Sequence, residues 1–154
     1  LTMPDTSEKV GAVIVAAGQS ERMGDVDKMF ALLGGQPLLL RVTLPFQQCS
    51  LIDRIVVVVS GEKETQCRSL VAGPDWSKVS DVCLGGRRRQ DSVAEGLKHL
   101  ADCDWAVIHD GARPLVTVAT ITAPTFSLVS GIVNLSLTYW SLISNSAKIS
   151  PVGA

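Results

Sequence analysis

Residues 54–59 read Arg54-Ile55-Val56-Val57-Val58-Val59, with five β-branched side chains in a row. A strand with one wet face would alternate apolar and polar positions. An unbroken apolar run needs cover on both faces, which is the situation of a parallel sheet. Residues 10–15, Val10-Gly11-Ala12-Val13-Ile14-Val15, have the same character. Strands are also predicted over 79–84 and over 105–108, the latter ending at His109-Asp110. Helices are predicted between them. One covers 37–49, with Pro37 in its first turn, Leu38, Val42 and Phe46 at i, i+4 spacing, and a kink or early end at Pro45. A second covers 60–72. A third covers 91–101, with Val93, Leu97, Leu100 and Ala101 as its apolar stripe and Ser92-x-x-Glu95 as a capping box. Residues 30–33 read as a short extended piece turning at Gly34-Gly35. Strands alternating with helices predict an α/β fold whose mostly parallel sheet carries helices on both faces, with right-handed crossovers.

At 154 residues the chain is one domain by length. Of its charged side chains only Lys148 lies beyond Arg113. The expected layout is a polar N-terminal extension over 1–9, a core over 10–117 and an atypical uncharged tail over 118–154. A formal net charge of −1 offers no global field for nucleic acid or an anionic membrane, so neither is an expected partner. Residues 126–143 are uncharged and about as long as a membrane span needs, but Asn134 and the Ser/Thr content argue against insertion. Residues 1–9 are polar and lack a signal-peptide pattern. Leu1 fits a trimmed chain or a non-standard start codon. Cys49, Cys67, Cys83 and Cys103 show neither zinc spacing nor a disulfide framework, so reduced thiols in a cytoplasmic protein are expected.

Ligands of open α/β sheets bind beyond the carboxyl ends of the strands, and three polar clusters fall there. The first is Ala16-Ala17-Gly18-Gln19-Ser20-Glu21-Arg22-Met23-Gly24, followed by Lys28. Its glycines let the backbone leave the strand tightly and approach a ligand closely. Arg22 and Lys28 are fixed cations suited to a triphosphate. Neither GxxxxGK[ST] nor GxGxxG is present, which disfavours a Walker site and a dinucleotide site. The second cluster is Gly85-Gly86-Arg87-Arg88-Arg89-Gln90-Asp91-Ser92. A three-arginine run usually faces solvent, but this one precedes a helix N-terminus, where orphan N–H groups and the dipole favour an anion or acceptor. Gly85 and Gly86 let backbone groups face a flat ring. Ser92 either caps the helix or touches a ligand.

The third cluster is His109-Asp110-Gly111-Ala112-Arg113-Pro114. His109 reads as a satisfied histidine near the core. Asp110, at a strand end across from the cations, reads as a magnesium ligand, since Mg²⁺ takes one or two carboxylates plus phosphate oxygens. Arg113 can grip a second phosphate bidentately. Two anion grips, one metal carboxylate and no nucleophile with a paired base point to direct nucleotidyl transfer onto a small phosphorylated substrate. Positioning and charge neutralisation by Arg22, Lys28 and the metal would supply the catalysis.

Together the three clusters resemble the 2-C-methyl-D-erythritol 4-phosphate cytidylyltransferase family over residues 10–117. The resemblance implies a Rossmann-like α/β fold, CTP as co-substrate, Mg²⁺, a homodimer and a place in non-mevalonate isoprenoid synthesis. By position it implies Ala16, Ala17 and Gly18 lining the CTP site, and Arg22 and Lys28 as catalytic cations. It puts Gly85, Gly86 and Ser92 at the cytosine, Asp110 on the metal and Arg113 near methylerythritol phosphate. Residues 118–154 match none of the family's later helix, substrate-binding strand, dimerisation arm or lysine-bearing segment. The C-terminal part of the fold is therefore expected to be incomplete, as after a shifted reading frame or a truncated gene. Ribitol-5-phosphate cytidylyltransferases share all three motifs. Molybdenum-cofactor nucleotidyltransferases share Ser20-x-Arg22-Met23-Gly24 and Asp27-Lys28 but lack the other two. A non-catalytic remnant that at most binds CTP is the remaining alternative.

Overall fold

The computed structural model describes residues 7–18, 28–122 and 131–135. Its sheet has the order β5-β4-β1-β6-β7, built from β1 (Val10–Ala16), β4 (Arg54–Val59), β5 (Val79–Leu84), β6 (Trp105–Asp110) and β7 (Gly131–Asn134). β1, β4, β5 and β6 are parallel, and β7 pairs antiparallel with β6. Val13 sits between Val56 and Ile108 in register, so the apolar runs stack across the sheet centre.

The chain moves outward from β1 through α1 (Leu38–Gln48) to β4, and through α2 (Glu64–Leu70) to β5. It then crosses back through α3 (Arg89–Lys98) to β6 on the far side of β1. That reversal creates a switch point at the carboxyl ends of β1 and β6, where such sheets bind ligands.

Two apolar layers cover the sheet. Leu39, Val42 and Phe46 of α1 and Cys67 of α2 pack with Ala12, Ile14, Ile55 and Val57 on one face. Val93, Leu97 and Leu100 pack with Val13, Val56, Val58 and Ile108 on the other. α3 approaches closely at Gly96, where an added Cβ would meet Val13 Cγ1 at 2.5 Å and Val58 Cγ2 at 2.9 Å. Gly96→Val is expected to overpack this layer and cost about 1–3 kcal/mol. A lower urea midpoint with an unchanged slope would show it.

Several boundaries differ from the sequence expectation. α1 starts after Pro37 and runs through Pro45 to Gln48. Pro45 falls in the last turn, where the fully buried Phe46 holds the helix on the sheet. The helix expected over 60–72 is a 3₁₀ turn, Gly61–Lys63, followed by the shorter α2. Gly61 is a poor helix former at that start. Leu32–Leu33 (β2) gains a partner strand, Gln36–Pro37 (β3), across Gly34 and Gly35, whose φ values of 59° and 82° need glycine. Beyond Val116, where the alternating pattern of strands and helices fails in the sequence, the structure has α4 (Val118–Thr122) and β7.

Ile121 and Leu135 are buried, so this part of the tail contributes to the core. β7 and the buried Leu135 occupy part of the uncharged stretch weighed above as a membrane span, and the rest of that stretch lies outside the described residues. Among the described residues no helix is long and apolar enough to cross a membrane.

Candidate functional site

The parallel strands bring their carboxyl ends to one edge, and a cavity of about 690 Å³ opens there. That volume suits a small-molecule ligand. Ala17 and Gly18 line it from the end of β1, Gly85, Gly86 and Ser92 from the end of β5 and the start of α3, and Asp110 from the end of β6. Segments far apart in sequence therefore meet in one wall. Ala16, Lys28 and Arg113 are not in the cavity lining. Ala16 is the last residue of β1. Lys28 is partly buried beside Met29, and its carbonyl accepts the Ala31 N–H at 3.3 Å. Arg113 is exposed on the turn after Asp110. Arg22 lies outside the described residues.

The wall between the first two clusters is tight. A Cβ on Gly85 would collide with Ala17 Cβ and stand 2.7 Å from Ser92 Oγ. A Cβ on Gly86 would collide with Asp91. The Gly85 N–H donates to the Val59 carbonyl at 2.8 Å, extending the β-ladder into the loop.

Ser92 does not cap α3. Arg88 is the N-cap, its N–H donates to Asp91 Oδ2 at 3.0 Å, and its guanidinium grips the same carboxylate. The Arg88 hydrogen bonds hold the Asp91 carboxyl below the usual carboxylate range. Ser92 instead lies inside the helix, buried, and accepts the Gly86 N–H at 3.1 Å. Glu95 of the expected capping box pairs with Lys98 at 2.7 Å. The Ser-x-x-Glu pattern lost because the helix starts before Ser92, where the Asp91 carboxylate, three residues after Arg88, accepts the Arg88 N–H.

Sequence reasoning passed over Ser60 and Gly61, which line the cavity from the end of β4. The strand-end rule that marked the other clusters applied here too, but no charge drew attention to the pair. Arg87, Arg88 and Arg89 also line the cavity while staying exposed, so the arginine run before the helix borders the pocket. Arg88 is committed to Asp91, which leaves Arg87 and Arg89 as its cationic rim among the described residues.

His109 is fully buried, and its ring lies 5.2 Å from that of Phe46. Nε2–H donates to the Arg113 carbonyl at 2.9 Å, while Nδ1 has no partner among the described residues. The expected satisfied histidine is therefore satisfied at only one nitrogen, and an orphaned buried polar atom costs about 1–3 kcal/mol. Burial pushes the imidazole below its ordinary pKa, keeping it neutral.

Asp110 Oδ1 accepts the Ala112 N–H at 3.0 Å. No group of three His, Cys, Asp or Glu side chains among the described residues could enclose a metal ion. A single carboxylate at a cavity wall does fit magnesium that arrives with phosphate oxygens already bound. The four cysteines are free and buried, and burial raises the thiols of Cys67, Cys83 and Cys103 to about 11.

Residues 10–131 match the model of the family described as 2-C-methyl-D-erythritol 4-phosphate cytidylyltransferase. The match runs past Thr117, to the start of β7. A 2-C-methyl-D-erythritol 4-phosphate cytidylyltransferase of Dehalococcoides mccartyi is 53% identical over 115 residues, covering 75% of this chain and 51% of the relative. The chain thus spans about half the length of the curated relatives it matches. The bifunctional IspDF of Campylobacter jejuni superposes with a TM-score of 0.73 at 20% identity, over 94% of this chain and 46% of that one. The 4-diphosphocytidyl-2C-methyl-D-erythritol synthase of Anaerococcus prevotii gives 0.69 at 18% identity, over 93% and 78%. These two likenesses carry the fold.

Proposed function

Because the chain belongs to the 2-C-methyl-D-erythritol 4-phosphate cytidylyltransferase family, we propose that it binds CTP in the strand-end cavity and transfers the cytidylyl group to 2-C-methyl-D-erythritol 4-phosphate. The observation that carries this reading is the convergence of Ala17, Gly18, Gly85, Gly86, Ser92 and Asp110 on one cavity. In it, Gly85 and Gly86 offer bare backbone to the cytosine, with Ser92 holding their loop in place. Ala16, Ala17 and Gly18 let the triphosphate lie close to the end of β1. Arg22 and Lys28 neutralise charge as it develops on the α-phosphate and the departing pyrophosphate. Arg113 grips the acceptor phosphate, for which a guanidinium fork is suited.

A phosphate oxygen of the acceptor attacks the α-phosphorus and the α–β anhydride bond breaks. CDP-methylerythritol forms and pyrophosphate leaves. Asp110 is the residue that would hold a magnesium ion carried on CTP, which when bound supplies neutralising charge. A homodimer and a cytoplasmic setting complete the reading.

Acceptor-dependent release of pyrophosphate tests it. The proposal expects release from CTP with methylerythritol phosphate and none with ribitol 5-phosphate. Release with ribitol 5-phosphate alone would move the activity to the related family. CTP binding with no release under either condition would make this chain a binding remnant.

A further inference from the structure

The turn that carries Asp110 and Arg113 is held unevenly. Its near end is pressed onto β1: the Gly111 N–H donates to the Val15 carbonyl at 2.8 Å, and a Cβ at Gly111 would stand 3.0 Å from that oxygen. Within the turn, the Arg113 N–H donates to the Asp110 carbonyl at 3.0 Å, and Ala112 N–H to Asp110 Oδ1 at 3.0 Å. The far end then leaves the sheet edge through Pro114 to Leu115, which is 85% exposed. Val116 re-enters the core just beyond it, and among the described residues the Arg113 carbonyl itself is held by His109 Nε2–H.

His109 is a poor choice if its task were only to fill space. Its side chain is fully buried against Phe46, and Nδ1 finds no partner among the described residues. A phenylalanine would occupy the same slot with no idle nitrogen. Buried polar groups left unpaired call for an explanation. The one hydrogen bond this ring makes reaches the residue assigned above to the acceptor phosphate.

We propose that His109 is a positioning residue for the acceptor grip: its Nε2–H locks the Arg113 end of the turn, so that Asp110 and Arg113 keep a fixed spacing at the sheet edge. This rests on the proposed role of Arg113. His109 itself is buried and does not line the cavity.

Two variants separate positioning from packing. His109→Phe keeps the volume and the aromatic contact but removes the donor. His109→Gln restores a donor, because its side-chain nitrogen reaches about as far from the backbone as Nε2. The proposal expects His109→Phe to hold its melting temperature within about 2 °C of wild type, or above it. The same variant should raise the KM for the phosphorylated acceptor about tenfold, the worth of one lost hydrogen bond, with the KM for CTP unchanged. His109→Gln should return the acceptor KM most of the way to wild type.

Amide hydrogen exchange reads the turn without turnover. His109→Phe should speed exchange at Ala112 and Arg113 about tenfold, leave Gly111 and β1 protected, and be reversed by His109→Gln. Equal acceleration throughout β6 with a falling melting temperature would make His109 a packing residue and overturn the proposal. Unchanged exchange at Ala112 and Arg113, or no recovery in His109→Gln, would overturn it as well. A wild-type chain without turnover would refute the proposed reaction, while the exchange data would still decide the role of His109.

Discussion

Gly85→Val is expected to weaken CTP binding by at least about a hundredfold, or roughly 2.7 kcal/mol. A Cβ at this position drives into Ala17 Cβ and stands 2.7 Å from Ser92 Oγ and 3.3 Å from Ser92 Cβ. Those neighbours are walls of the cavity. The branched side chain can be accommodated only by separating the end of β1 from the start of α3, which spreads the surface proposed to hold the base and phosphates. Titration calorimetry with CTP reads the loss. Gly18 is the internal comparison: a Cβ there meets nothing within 4 Å among the described residues, so Gly18→Ala should fold with unchanged stability. Equal CTP affinity in wild type and Gly85→Val would remove this cavity from nucleotide binding.

Lys28→Ala is expected to fail differently. Lys28 does not line the cavity; its carbonyl accepts the Ala31 N–H and its neighbour Met29 is buried in the core. A cation that acts on charge developing during transfer contributes more to the transition state than to the ground state. The expected result is a loss of about 10²–10³ in kcat, with CTP affinity nearly retained, the magnitude seen when one preorganised electrostatic group is deleted. Pyrophosphate release under saturating CTP measures it. A large rise in the KM for CTP with kcat preserved would recast Lys28 as a binding residue. The two variants therefore separate the pocket that holds the nucleotide from the charge that drives its reaction.

Most of this architecture is legible in the residues because its dominant signal is strong. Runs such as Arg54–Val59 tolerate no exposed face, so the parallel strands and their carboxyl edge follow from the apolar pattern. The clusters at Gly85 and Asp110 stood out because glycine and charge gathered at strand ends. Ser60 and Gly61 carry neither a charge nor a spaced motif, and only the folded sheet brings them to the cavity.

The start of α3 was misplaced for a local reason. Ser92 and Glu95 have the right spacing for a capping box, but the helix begins earlier, at an arginine that capping preferences do not favour, with the Asp91 carboxylate accepting the Arg88 N–H. β7 is four residues that find a partner only by returning antiparallel to β6, a long-range pairing with no local signature. The half-satisfied state of His109 was equally invisible, because a buried nitrogen's lack of a partner is a property of everything packed around it.

The central claim is that the carboxyl ends of β1, β5 and β6 form one CTP site. A crystal structure of the chain grown with CTP and magnesium tests it most directly. The account predicts cytosine against the Gly85–Gly86 backbone, the triphosphate along Ala17 and Gly18, and magnesium held at Asp110. CTP bound elsewhere on the chain, with this cavity empty, would contradict it.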